Sequence, residues 1–399
     1  IMFDCEDVLS LLKPTNLIAN GLCSNKTLCH GHDLNDVNSR LSESIDSLRE
    51  LSRYNNRRKE FAHEQKGSKY KQEKRYSNAL RFYREALVIT KGLVGEERHP
   101  DIADIHVSMA TVFKKKSMYD ESMRAFEKAL SMYEDAIEDE VCEYDRKRCL
   151  IIKSADTLNS IGDIYLQKGE LDIALEKYHA ALLVTEKSIP ESEESDEVKS
   201  HWSETLNIHW AETLNNLATV HAEKGNVQES LKIHNLALEM QMKYLGEDNI
   251  AVANTLNKIA TINFKDRNFV VALKVFRQAL KMRRKLLGWN HNSVADVLNN
   301  LGLVQLMMNQ LDVAATTFSK ALDVSCTALG KQDLKTADIY ANMGFLAEKQ
   351  NDVIKAIYNF NKARKIYKIN GLADDHECVK FVTRGSSDFA ASSVVSFLF

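Results

Sequence analysis

The sequence predicts an all-α protein, a solenoid of about seven stacked helix–turn–helix units, and three observations predict it. Helix breakers are scarce: three prolines and fifteen glycines fall in 399 residues, and alanine, leucine, lysine and glutamate, all good helix formers, fill the intervals. One residue pattern recurs at a fixed step of 42 residues through the C-terminal half, as stacked repeats do. Within each copy the large residues fall at helical spacing, as at Leu214, Leu217 and His221. Each unit therefore has an apolar face that it cannot bury alone, and stacking on its neighbours buries it.

Taken in chain order, residues 1–33 lack periodicity and read as a mobile segment. Leu34, Val37, Leu41, Leu48 and Leu51 then follow a 3/4 rhythm, an amphipathic helix over 34–56. It caps the open apolar end of the first repeat or forms a short coiled coil with a partner; capping is preferred, because sustained coiled coils need more heptads. The repeats occupy 57–370. Their clearest register is Leu214-Asn-Asn-Leu-Ala218, Leu256-Asn-Lys-Ile-Ala260, Leu298-Asn-Asn-Leu-Gly302 and Tyr340-Ala-Asn-Met-Gly344. A second small residue follows twelve positions later (Ser230, Ala272, Ala314, Ala356) and a third seven beyond that (Ala237, Ala279, Ala321, Ala363), with His234, Phe276, Phe318 or Phe360 between them. Three earlier copies share the pattern around Gly67 and Tyr83, Ala110 and Phe126, and Gly162 and Tyr178. Small residues mark where paired helices approach closely, and the aromatic fills the space beside them. Gly169, Gly225, Asn309 and Asn351 are placed to turn the chain between paired helices in the left-handed conformation.

Two charged stretches interrupt the step, Glu134–Arg148 and the acidic Ser188–Ser200, and both read as lengthened helix ends with exposed loops. After the second comes a local duplication, His201-Trp-Ser-Glu-Thr-Leu-Asn207 and His209-Trp-Ala-Glu-Thr-Leu-Asn215, which adds a turn or two before the fourth helix pair. The tail 371–399 loses the repeat and ends in apolar residues, which are expected to fold back on the last pair.

The spacing of small and aromatic residues over roughly 60–370 resembles the tetratricopeptide repeat, which implies a right-handed α-solenoid. Between repeats, Leu245-Gly246, Leu287-Gly288, Leu329-Gly330 and Val94-Gly95 are each followed by a polar linker, and the first three by an alanine in the next helix (Ala253, Ala295, Ala337); around Gly95 the run is His99-Pro100-Asp101-Ile102-Ala103. This is similar to the long repeat of the kinesin light chain class. The resemblance implies a cargo adaptor with kinesin heavy chain or cargo as partner, although the long heptad segment of that class is not seen in this sequence.

Composition excludes several functions. A net charge of −3 implies neither a nucleic-acid partner nor a membrane surface, and no apolar run is long enough to span a bilayer. Seven scattered cysteines point to a reducing, cytoplasmic setting rather than a disulfide framework. The first residue is Ile1 rather than methionine, which reads as a piece of a longer product. Cys23, Cys29, His30 and His32 do not have the paired spacing of a zinc site, so no metal is expected. With no phosphate loop, nucleophile elbow or His-Glu-x-x-His sequence, no cofactor and no catalytic residue are expected either.

The asparagines are the best candidates for contact. Asn159, Asn215, Asn257 and Asn299 hold one place in the first helix of their repeats, and Asn216, Asn300 and Asn342 the next. Asparagine is a mediocre helix-interior residue, so its recurrence needs a cause. Resemblance to tetratricopeptide solenoids places these positions on the concave surface, where an amide can donate to and accept from a ligand backbone. Alternatively the amides bond between neighbouring repeats. Lys258, Thr219, Thr261, Lys265 and Lys349 complete the candidate groove. The expected function is a protein-interaction scaffold that takes peptide or helical segments of other proteins; the alternative is a regulatory or sensory arm of a larger enzyme or transcription regulator. A chaperone-tail clamp ranks last, because Asp156, Glu212, Asp296 and Asp338 put acidic groups beside the groove.

Overall fold

The computed structural model describes residues 31–139, 144–186 and 196–384, and among them every regular element is α-helical. In chain order these are α1 (Gly31–Gln72), α2 (Tyr76–Val94), α3 (Pro100–Lys115), α4 (Tyr119–Glu138), α5 (Tyr144–Lys168), α6 (Leu171–Glu186), α7 (Asp196–Glu223) and α8 (Val227–Leu245). They continue as α9 (Ile250–Lys265), α10 (Phe269–Leu287), α11 (Asn292–Met307), α12 (Leu311–Ala328), α13 (Leu334–Lys349), α14 (Val353–Ile369) and α15 (Glu377–Arg384). The helices form two compact units, Ile1–Thr157 and Leu158–Phe399. In each, an odd-numbered helix pairs with the even-numbered one that follows, and the all-α stack of helix pairs is the one anticipated.

The pattern of small and aromatic residues has a direct geometric cause. A Cβ added to Gly67, Gly162, Gly302 or Gly344 would lie 2.6 or 2.7 Å from the ring of Tyr83, Tyr178, Phe318 or Phe360. Glycine at those places lets the paired helix lay its ring against bare backbone. Where the matching position is alanine it is fully buried, as at Ala110, Ala218 and Ala260. Two of the small residues are serines, and each satisfies its buried hydroxyl across the pair: Ser122 Oγ donates to the Ala110 carbonyl (2.8 Å) and Ser230 Oγ to that of Ala218 (2.6 Å). In the second unit the rings of Phe276, Phe318 and Phe360 join one continuous core that runs from Ala260 to Val382. Burying a ring of that size stabilises by about 2–3 kcal/mol.

All seven turns within pairs use one backbone event. Lys74, Ser117, Gly169, Gly225, Arg267, Asn309 and Asn351 have φ between 58° and 79°. The next N–H reaches back to the carbonyl five residues earlier, for instance Asn226 to His221 (2.8 Å) and Gln310 to Gln305 (2.8 Å), which closes the helix end in a Schellman motif. The expected four turn residues are therefore joined by Lys74, Ser117 and Arg267, side chains that adopt this conformation at a cost. Between pairs, Gly246 (φ 81°, ψ 163°) and Gly288 (φ 79°, ψ 174°) occupy a region open essentially to glycine alone.

Helix starts obey a register too. His99, Asn249, His291 and Asp333 each accept a hydrogen bond from the backbone N–H two residues on, at 2.8–3.2 Å, and so cap α3, α9, α11 and α13. The same register falls at Asn56 in α1, Ile151 in α5 and Asn207 in α7, where the helix runs straight through. The boundary drawn at 56/57 thus lies inside one 42-residue helix, because nothing stops the backbone there. Likewise α7 absorbs both copies of the duplicated heptapeptide in 28 residues, against 16 for α9. Segment 1–33 lies outside the described residues except Gly31–Asp33, which open α1. At the other end α15 packs on α14 through Val379, Phe381 and Val382, with Phe360 and Phe381 edge to face at 6.1 Å; the rest of the tail lies outside the described residues. No helix among the described residues is long and apolar enough to cross a membrane.

Candidate functional site

In the second unit, successive odd-numbered helices contact one another directly, α7 with α9, α9 with α11 and α11 with α13. The candidate residues fall along this shared face. Lys258 on α9 reaches back to α7, with Nζ 3.4 Å from the Asn215 carbonyl and 3.3 Å from Thr219 Oγ1. Asn342 on α13 reaches back to α11, where Nδ2 donates to Asn299 Oδ1 at 2.8 Å. Asn216 and Asn300 share the register of Lys258 and Asn342, and both are half-buried. Lys265 pairs with Glu223 at 3.3 Å. Thr219 and Thr261 hydroxyls bond to carbonyls of their own helices at 2.8 and 2.9 Å. Exposed Lys349 lies over its neighbour Phe345, 5.5 Å from the ring centre. Asn215, Thr219 and Lys258 are thus brought together, as are Asn299 and Asn342; Lys265 likewise reaches back from α9 to Glu223 on α7, whereas Lys349 has a partner on its own helix.

The other asparagine register supports the stack itself. Asn159 Nδ2 donates to Thr213 Oγ1 and Asn215 Nδ2 to Thr255 Oγ1, each at 2.8 Å. Each amide thus bonds a threonine of the next repeat. Asn215 is 6% exposed, and its Oδ1 accepts from His234 Nδ1 at 2.7 Å. Thr255 passes the chain on to Gln241 Oε1 at 2.7 Å. His234–Asn215–Thr255–Gln241 is therefore a buried polar network across two repeats. At Asn257 the place of His234 is taken by Phe276, whose ring has no N–H to give, and Asn257 Oδ1 is buried without a protein partner.

Electrostatics follow burial. Desolvation pulls Lys258 below the usual lysine range, with Asp163 acting the other way. Desolvation also pulls His234 down to about 3, helped by Lys258, so its imidazole is neutral.

A second polar register was missed from sequence. Thr90, Tyr133, Thr185, Gln241, Arg283, Ser325 and Tyr367 fall near the end of the even-numbered helices, and all are buried. Each has a partner on a neighbouring helix: Tyr133 donates to Asp104 (2.5 Å), Arg283 to Asn254 (2.9 Å) and Tyr367 to Asp338 (2.7 Å). Gln241, Arg283, Ser325 and Tyr367 are 42 residues apart, and that step was the available signal. Among the described residues no group of three or more His, Cys, Asp or Glu is placed to hold a metal ion.

A family model described as tetratricopeptide repeat matches residues 211–285, 252–327 and 293–369. A second, described as an uncharacterized protein conserved in bacteria, matches 40–206. Among curated proteins no match is found. Solved structures share the fold. The apo quorum sensor NprR from B. thuringiensis superposes with TM-score 0.56 at 14% identity, covering 92% of this chain and 89% of its own. Aspartyl phosphate phosphatase F from Bacillus subtilis gives 0.56 at 13% identity, over 84% and 76%. Apo RapI gives 0.54 at 16% identity, over 78% and 99%.

Proposed function

The chain carries tetratricopeptide repeats over residues 211–369, and from that premise we propose that it is a protein-interaction scaffold rather than an enzyme. Its ligand is an extended peptide or helical segment of another protein, laid along the shared face of α7, α9, α11 and α13. The observation that carries this is the register of Asn216, Lys258, Asn300 and Asn342. Two of its members demonstrably point across to the preceding odd-numbered helix, and Asn216 and Asn300 bring half-buried amides to the same row. The amides of Asn216 and Asn300 suit a peptide backbone, since each both donates and accepts, whereas Asn342 is 1% exposed and spends its amide on Asn299. Lys258, whose Nζ meets the Asn215 carbonyl and Thr219 Oγ1, would be favoured by a ligand carboxylate beside it.

A photo-crosslinking amino acid placed at Asn216 or Asn300 should capture partners from native extract, whereas the same group at exposed Val313 on α12 should not. Equal capture from both faces, with helix content unchanged by circular dichroism, would remove the face assignment. The narrower form is an adaptor in the manner of kinesin light chains, acting in the cytoplasm on a heavy chain or cargo. It is supported by the Leu-Gly linker motif at Leu245-Gly246, Leu287-Gly288 and Leu329-Gly330. A second reading, a sensory or regulatory arm, draws support from the shared fold of the quorum sensor NprR.

A further inference from the structure

The duplicated heptapeptide has a structural consequence that the shared face of the odd helices does not use. Its second tryptophan, Trp210, forms one wall of a groove of about 600 Å³ bounded by α6, α7 and α8. The indole Nε1–H is tied back to Thr185 Oγ1 at 2.6 Å, so the polar edge is satisfied and the carbon face is left to line the groove. Leu214, Leu236 and Met240 complete the apolar lining, and Leu236 is 49% exposed. In the regular repeats the place of Trp210 is taken by Val252, Val294 and Thr336, all buried. There a short glycine linker joins one pair to the next. At this joint α6 ends at Glu186 and α7 begins at Asp196, well before the register at which α9, α11 and α13 start.

The charge around the groove is one-sided. Glu186 and Glu239 stand among the lining residues, both exposed, and neither has an ion-pair partner among the described residues. The lone cation, Lys243, is drawn over the Tyr244 ring, 4.9 Å from its centre. An anionic ligand would be repelled, and a neutral apolar one would leave the carboxylates unused.

We propose that this groove is a second docking site, which takes a short peptide segment bearing apolar anchor side chains flanked by lysine or arginine. The apolar anchor buries against Trp210, Leu214 and Met240, and the flanking cations meet Glu186 and Glu239.

The test uses the full chain with Trp202→Phe and Trp289→Phe, so that Trp210 alone reports. The probe is the capped peptide acetyl-Lys-Lys-Leu-Phe-Lys-Lys-amide, compared with its glutamate counterpart and with one flanked by glycines. The lysine peptide should shift the Trp210 emission saturably, and the other two should do so only weakly. Replacing both carboxylates (Glu186→Lys, Glu239→Lys) should weaken binding by about tenfold, the size expected for two exposed charge pairs. Both positions are exposed, so the fold is retained, and circular dichroism checks this. Asn216→Ala with Asn300→Ala should leave the titration unchanged, because those residues lie on the other face. Tight binding of the glutamate or glycine peptide would overturn the proposal. So would unaltered binding to the double-lysine variant, or binding lost with the two asparagines.

Discussion

One added carbon at Gly302 would lie 2.6 Å from the Phe318 ring, well inside van der Waals contact, so either the ring or the helix must move. Gly302→Ala should destabilise the chain by about 1–3 kcal/mol, as overpacking of a core does. Combining it with Phe318→Leu should return part of the loss, read by urea unfolding. The need for a small residue here was legible in sequence, because the small residue and the ring recur together in every copy. The polar register from Thr90 to Tyr367 was legible only as a 42-residue step, since its members share no chemistry. A threonine, a tyrosine, a glutamine and an arginine look unrelated until the fold shows that each bridges to a facing helix. The asparagines were half legible. Their recurrence marked them, but only the geometry separates Asn159 and Asn215, spent on the next repeat's threonine, from Asn216 and Asn300.

At the scale of the helix pair, the turn positions Gly169, Gly225, Asn309 and Asn351 were readable because glycine and asparagine advertise a left-handed backbone. Lys74, Ser117 and Arg267 advertise nothing, yet the stack forces the same φ on them, 62° at Arg267. Holding a side chain in that region costs about 1–2 kcal/mol. Arg267→Gly should therefore raise the unfolding midpoint, with a gain of about 1 kcal/mol once the added freedom of the unfolded chain is subtracted. A lowered midpoint would show that the arginine side chain has a contact that matters more. Helix starts were readable only where a cap exists. The segment taken as a separate cap is the front of α1, whose backbone passes Asn56 without a break, just as α7 passes Asn207.

For the molecule as a whole, each compact unit buries a neutral histidine among its described residues: His106 in the first and His234 in the second. Burial pulls His106 down to about 4, with Lys128 and Lys91 adding to the effect, and pulls His234 down to about 3. Unfolded, both would titrate near 6.5. As pH falls through 6.5 the unfolded chain takes up protons that the folded chain refuses, so stability declines with acidity until the folded values are reached. Unfolding free energy measured between pH 6.5 and 4 should therefore fall. His234→Phe should remove up to one proton from that dependence, about 1.4 kcal/mol per pH unit. It should also lower stability at neutral pH, because Asn215 Oδ1 loses its donor, so the slope and not the level is the readout. An unchanged slope would mean that His234 is not neutral in the folded chain.

The seven turns closed by one backbone event make the chain divisible. Lysine, serine, glycine, arginine and asparagine all serve at that point, so the closure is carried by main-chain bonds that any copy can supply. Residues 268–309, which run from just after Arg267 to Asn309, could leave the chain and the rejoined backbone would still meet its next carbonyl in register. The unit of change for this protein is then the whole 42-residue cassette. Gain or loss of a cassette would alter how much partner the amide face can span while leaving the manner of contact as it is.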